Sequence, residues 1–173
     1  METAKDYYVR RMRREDVGQV VDIDREAFPS IWPVPNYRRE LENRLAHYIV
    51  VCDRGRRVPE NDGRPVGGFK RFNSMVWRLL GGDRWHRGDT AIPGQELILG
   101  FAGIWVLVDE AHLTNIAVRE LERERGVGEL LLISIIEMSQ KLKAIFVTLE
   151  VRASNTTAQN LYTKYGFKQV GVR

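Results

Sequence analysis

Arg123-Glu124-Arg125-Gly126-Val127-Gly128-Glu129-Leu130-Leu131-Leu132 sets two glycines, one residue apart, between a charged run and an apolar segment. Glycine lets the backbone bend and come close to a ligand. A helix opening there presents unpaired N–H groups and the positive end of its dipole to an anion. The stretch reads as a phosphate-binding turn. Taken by itself, a glycine-bearing turn ahead of a core helix is the plainer alternative. The flanking sequence decides between them.

On the downstream side, Leu130, Leu131, Ile133, Ser134, Ile135 and Met138 make a helix from Val127 to about Leu142 apolar around most of its girth, and so largely buried. On the upstream side, two apolar runs, 96–107 and 111–118, read as neighbouring strands of an antiparallel hairpin, with Asp109-Glu110 in its turn. Residues 144–150 form a β-branched strand. Ser154 or Asn155 then caps a helix carrying Ala158, Leu161, Tyr162 and Tyr165, which Gly166 stops. Phe167 to Val172 begins a last strand.

Closer to the N-terminus, Tyr7 to Met12 reads as a first strand. Val17, Val20, Val21, Ile23, Ala27 and Phe28 fall near helical spacing over 15–28. The prolines at 29, 33 and 35 stop that helix. A short helix over 36–46 and a strand over 47–53 follow. Between Arg54 and Gln95 lie eight of the chain's 15 glycines and three of its six prolines, which marks an insertion between two strands. Phe69, Phe72, Val76, Leu79 and Leu80 line one face there, with Lys70, Arg71 and Arg78 off it. A loop folded back over the domain is the favoured reading, and a basic amphipathic docking element the alternative. The element order is β-α-α-β-β-β-α-β-α-β, a mixed α/β domain with helices covering a mostly antiparallel sheet.

At 173 residues, with 43% hydrophobic and 29% charged residues, the chain suits one globular domain over 1–173. The single cysteine, Cys52, leaves no intramolecular disulfide to form and fits a reducing cytosol. His47, His86 and His112 share no metal-ligand spacing, so no metal is expected. The first residues lack a signal peptide's apolar run, and no stretch is long enough to span a membrane. A net charge of +4 is compatible with an anionic cofactor but mild enough to be a solubility feature. A cytoplasmic protein with no membrane or direct nucleic-acid partner is expected.

Four pieces taken together resemble one family. They are Leu113-Thr114-Asn115-Ile116-Ala117-Val118, Arg123-x-x-Gly126-x-Gly128, Leu149-Glu150-Val151-Arg152-x-Ser154-Asn155, and Leu161-Tyr162-x-x-x-Gly166-Phe167. Together they are similar to the GCN5-related N-acetyltransferase superfamily. Glu150 to Asn155, with Ala27-Phe28-Pro29 and Trp32, resembles its ribosomal-protein-alanine N-acetyltransferase (RimI) group. The resemblance covers most of 7–53 and 96–173 and omits the insertion.

This resemblance implies acetyl-CoA as co-substrate and a protein N-terminus, that of a ribosomal protein beginning in alanine, as acceptor. Lysine or a small amine is the alternative acceptor, and a catalytically impaired CoA-binding or docking module a third reading. It assigns the pyrophosphate to Arg123, Glu124, Arg125, Gly126, Val127, Gly128 and Glu129, and the pantetheine arm to the backbone of Ile116, Ala117 and Val118, on a strand that splays from its neighbour. Asn155 contacts CoA, Glu150 is the general base acting through water, and Tyr162 is the general acid. Glu124 and Glu129 depart from the basic residues that many relatives carry nearby. The family also continues with a further strand beyond the point where this sequence stops, so a truncated C-terminus is expected.

Overall fold

The computed structural model describes residues 6–29, 33–59 and 91–172. Five strands lie side by side in chain order: β1 (Tyr7–Arg11), β2 (Ala46–Arg57), β3 (Glu96–Leu107), β4 (Glu110–Val118) and β5 (Phe146–Leu149). The first four are antiparallel, and β5 joins β4 in parallel. Among the described residues, four α-helices accompany them: α1 (Val17–Ala27), α2 (Tyr37–Glu40), α3 (Val127–Lys141) and α4 (Thr156–Lys164). The mixed, mostly antiparallel sheet matches the expected class.

Both faces of the sheet are covered. Val20, Ile23 and Tyr37 meet Tyr48, Val50, Phe101 and Ala117 on one side. On the other, Leu131, Leu132, Ile135 and Tyr162 meet Ile49, Val51, Ala102, Ile104 and Leu113. Two β-bulges let the strands serve both layers. Cys52 pairs with Ile98 and Val51 with Gly100, which leaves Leu99 as an extra residue in β3. Gly103 pairs with Asn115 and Ile104 with Leu113, which makes Thr114 the extra residue in β4. Such insertions bend a strand and re-aim its side chains.

The second bulge is braced. Thr114 Oγ1 donates to Gly103 O at 3.0 Å, and the buried Tyr48 ring lies where a Gly103 Cβ would stand, 2.2 Å from Tyr48 Cε1. That ring cannot retreat easily, because Tyr37 meets it edge-on at 5.7 Å. Gly103→Ala should therefore destabilise the fold by about 2 kcal/mol through overpacking. A thermal melt within a degree of wild type would contradict this account.

Four expectations differ from what forms. The helix over 36–46 shrinks to one turn, because Ala46 is drawn into the ladder opposite Trp105. The strand ending at Asp53 runs on to Arg57, opposite Glu96. Residues 167–172 form no strand, since no ladder among the described residues pairs with them, and Val170 and Val172 stand exposed. A strand needs a partner for its backbone groups. The hairpin turns at Val108-Asp109, one residue earlier than expected. Residues 60–90, with the aromatic and basic face proposed for the insertion, lie outside the described residues, as does Trp32.

Candidate active site

Pairing between β4 and β5 runs from Glu110↔Phe146 to Leu113↔Leu149 and stops. One residue later β4 bulges at Thr114, and the strands part. Ile116, Ala117 and Val118 stay hydrogen-bonded to β3 through partners Ala102, Phe101 and Gly100. Their β5-facing edge carries no ladder partner among the described residues. An open strand edge inside a domain is a ready template for the polar backbone of a ligand.

The glycine turn closes the far end of this notch. Arg119 N donates to Leu99 O, and a 3-10 turn (Glu120–Glu122) leads into residues 123–126. Glu124 and Gly126 both adopt left-handed backbone, with φ of +60° and +84°. Gly126 is the residue that precedes the first turn of α3. The first amides of α3, from Val127 on, have no helical carbonyl one turn earlier to pair with. A Cβ placed on Gly128 would stand 3.7 Å from Val118 Cγ2, so the turn and the end of β4 face each other closely. Left-handed residues on either side of Arg125, at the N-terminus of a helix, are backbone of the kind that can turn successive amides toward one anion.

Most of the turn's charged side chains have partners within the protein. Arg123 Nε donates to Val118 O at 3.4 Å, and Arg125 donates to the Glu122 carboxylate at 3.4 Å. Both arginines thus brace the turn itself. Glu129 swings away from it, accepting from Tyr165 Oη at 2.6 Å and from Lys164 Nζ at 2.5 Å. Lys164 first and Tyr165 second hold that carboxyl below its usual range. Its negative charge is met by Lys164 and Tyr165 at the end of α4. Glu124 is exposed on its left-handed corner.

Glu150 is the first residue beyond the last β4–β5 rung, exposed at the mouth of the notch. Tyr162 lies on α4, 7% exposed, in the same apolar cluster as Leu113 and Leu149. Its ring leans on Phe167, with centroids 5.8 Å apart. Burial raises the Tyr162 phenol above its ordinary value, so it stays protonated at neutral pH. Asn155 caps α4 as expected: its Oδ1 accepts from Ala158 N at 3.1 Å, which leaves the cap's amide nitrogen as the group to offer a ligand.

Two features carried no signal in the sequence. Gln19, fully buried on α1, donates to Glu96 O and accepts from Ile98 N, while Arg119 Nε donates to Ile98 O at 2.7 Å. Side chains thereby continue the edge of β4 past its end and fix the start of the turn. Glu122, 5% exposed, takes a two-pronged bond from Arg56. A separate open cleft of about 550 Å³ lies beside α2, lined by Arg39, Glu40, Glu42, Asn43 and Trp105, and includes none of the residues above.

A sheet with one parallel edge pair that forks at a bulge, and a glycine turn opening a buried helix beside the fork, define an acyl-carrier-dependent transferase fold. The chain belongs to the Acetyltransferase (GNAT) family, whose model matches residues 17–167. It is an acetyl-CoA-dependent N-acetyltransferase. Over 95% of its length it is 32% identical to a Bacillus subtilis (strain 168) protein, provisionally named a ribosomal protein bS18-alanine N-acetyltransferase, and spans 83% of that protein. It is also 32% identical, over 97% of its length, to the N-alpha-acetyltransferase of Sulfurisphaera tokodaii, of which it spans 84%. In fold it matches the crystal structure of the ribosomal-protein-S18-alanine N-acetyltransferase from Escherichia coli, with a TM-score of 0.67 at 21% identity, covering 96% of this chain and 81% of that one. Among the described residues no helix is long and apolar enough to cross a membrane, and no group of three or more His, Cys, Asp or Glu side chains could hold a metal ion.

Proposed function

We propose that this protein moves the acetyl group of acetyl-CoA to the N-terminal α-amine of a protein, with a ribosomal protein beginning in alanine as the acceptor. The observation that carries the reading is the notch between β4 and β5, with Glu150 at its mouth and the protonated Tyr162 in the cluster that lines its floor. The names of the relatives from B. subtilis and S. tokodaii support an α-amine over a lysine.

In this reading the amides of Glu124 to Glu129 bind the donor's pyrophosphate. The open edge of Ile116, Ala117 and Val118 holds its pantetheine arm, and Asn155 steadies it further along. Arg123 and Arg125 hold the turn in shape. Glu150 takes a proton from the acceptor ammonium through water. The amine then bonds to the acetyl carbonyl carbon, the carbon–sulfur bond breaks and Tyr162 gives its proton to the leaving sulfur, while the nitrogen's second proton passes through water to restore the phenol and the proton on Glu150 leaves to solvent. An α-amine titrates near pH ~8 against ~10.4 for lysine, so the base has modest work, and alignment of amine and thioester supplies much of the rate.

The test is thiol release from acetyl-CoA in the presence of peptides differing only in their first residue. An alanine-initiated peptide should be acetylated fastest, and the product should lack a free α-amine by mass spectrometry. Equal rates with an α-blocked, lysine-containing peptide would overturn the assignment.

A further inference from the structure

Arg56 stands outside every motif that marks the donor site, yet its guanidinium reaches the donor turn. It lies near the end of β2, where Val58 N donates to Gln95 O and Gly94 N donates to Val58 O. These two bonds pin together the points at which the chain leaves the sheet and returns to it. From there Arg56 sends Nη1 and Nη2 to the two oxygens of Glu122, at 2.7 and 3.0 Å, and Nε to Asp53 at 2.7 Å. Glu122 immediately precedes Arg123, the first residue of the turn, and its other contact is Arg125 at 3.4 Å. One almost fully buried carboxylate therefore holds two arginines, one from the sheet and one from the turn.

That arrangement has an electrostatic consequence. A pyrophosphate on the amides of Glu124 to Glu129 brings concentrated negative charge close to Glu122. A buried carboxylate next to such a ligand repels it unless its own charge is met in place. Arg125 alone, at 3.4 Å and half exposed, is a weak counterweight. The two-pronged bond from Arg56 is the close one, and its geometry is that of the strong arginine–carboxylate pair.

Building on the donor-site reading above, we propose that Arg56 is a positioning residue for donor binding. By neutralising Glu122 it makes the turn acceptable to a diphosphate, with Arg125 as the longer, more exposed second partner. The donor site is thereby tied to the neck of the 58–95 segment, so that whatever displaces that neck is felt as a change in donor affinity.

The test uses the full chain and acetyl-CoA. Calorimetry on the wild type comes first: no binding overturns the donor-site reading and this proposal together. With binding present, Arg56→Gln should raise KM for acetyl-CoA about tenfold and leave kcat within about twofold, since an unpaired buried charge penalises the bound anion and not the chemical step. Adding Glu122→Gln to Arg56→Gln removes that charge and should return KM to within about threefold of wild type. Arg56→Lys keeps a charge but loses the fork, and should fall between.

A pH series separates this role from a merely structural one. In the wild type the Arg56 bond is the main reason Glu122 lies below its usual range, against the opposing pull of burial, with Arg125 helping and Asp53 opposing. Without Arg56, burial and Asp53 raise Glu122. KM of Arg56→Gln should then improve as pH falls toward 5, while the wild type and the double variant show no such slope. An Arg56→Gln variant with unchanged KM, or a loss that Glu122→Gln does not relieve at any pH, would overturn the proposal and leave the donor-site reading standing.

Discussion

Glu150→Gln is expected to lower kcat about 100-fold with an alanine-initiated peptide, with little change in KM for acetyl-CoA, as for loss of a general base. The residue follows the last β4–β5 rung, opposite the point where β4 turns aside, so its carboxylate is placed by two strands rather than by a loose loop. Glutamine keeps the shape and polarity and removes only the ability to take a proton. Because an α-amine is already partly deprotonated near neutrality, part of the loss should be recovered as pH rises toward 9. A lysine acceptor would show a steeper recovery that continues past that point. Tyr162→Phe should cost about tenfold in kcat, less than the base, because a thiolate is a stable leaving group even unassisted. Since burial raises the phenol, the alkaline fall in rate that it governs should begin above pH ~10, the ordinary tyrosine value. An unchanged rate for Tyr162→Phe, with an unchanged melt, would remove it from the chemistry.

Gly126→Val should raise KM for acetyl-CoA at least about 30-fold, because a β-branched residue is strained in left-handed backbone by about 1–2 kcal/mol and would turn the flanking amides out of line. Gly126 has φ of +84°, and no atom of the protein stands within 4 Å of where its Cβ would be. The substitution therefore meets no clash in the fold itself. Its penalty falls on the conformation of the turn and on the space a ligand needs. The fold should survive with a melting temperature lowered by a few degrees, as about 1 kcal/mol implies for a domain of this size. Calorimetry with acetyl-CoA is the direct measurement. Retained affinity would show that the donor's pyrophosphate is held elsewhere.

What could be read beforehand was local. α3, α4 and the strand between them are marked by period, caps and β-branched composition within a few residues of one another. Asn155 caps where a capping residue was expected, and Gly166, at φ +83°, stops the helix as glycine does. The elements that shifted were settled by partners far away in sequence. The helix expected over 36–46 yielded to a ladder, since Ala46 pairs with Trp105, and the extension of β2 through charged residues depends on Glu96. For 167–172, β-like composition without a neighbouring strand gave no strand.

The site divides in the same way. Glu150, Tyr162, Asn155 and the two glycines were visible as types at fixed spacing. The disposition of charge around them was not, because it is made by pairs with large sequence separation. Glu129 looked unfavourable beside a phosphate until Lys164 and Tyr165, 35 and 36 positions later, proved to hold it. The burial of Glu122 against Arg56, 66 positions earlier, has no periodic signature. Gln19 gave no sign that it would stand in for a strand.

Thr114 leaves a consequence for how this segment tolerates change. Ahead of it, Ala111 and Leu113 serve the layer beneath α3; behind it, Ile116 and Val118 do, while Ala117 serves the opposite layer. The apolar code of β4 is thus two phrases in opposite phase, joined by one spacer. Losing that spacer would turn one phrase inside out, since a one-residue slip sends every side chain of a strand to the other face. Exchange of the spacer for serine would cost far less. Length, more than identity, is what this position requires, and a single-codon deletion there should be among the least tolerated in the chain.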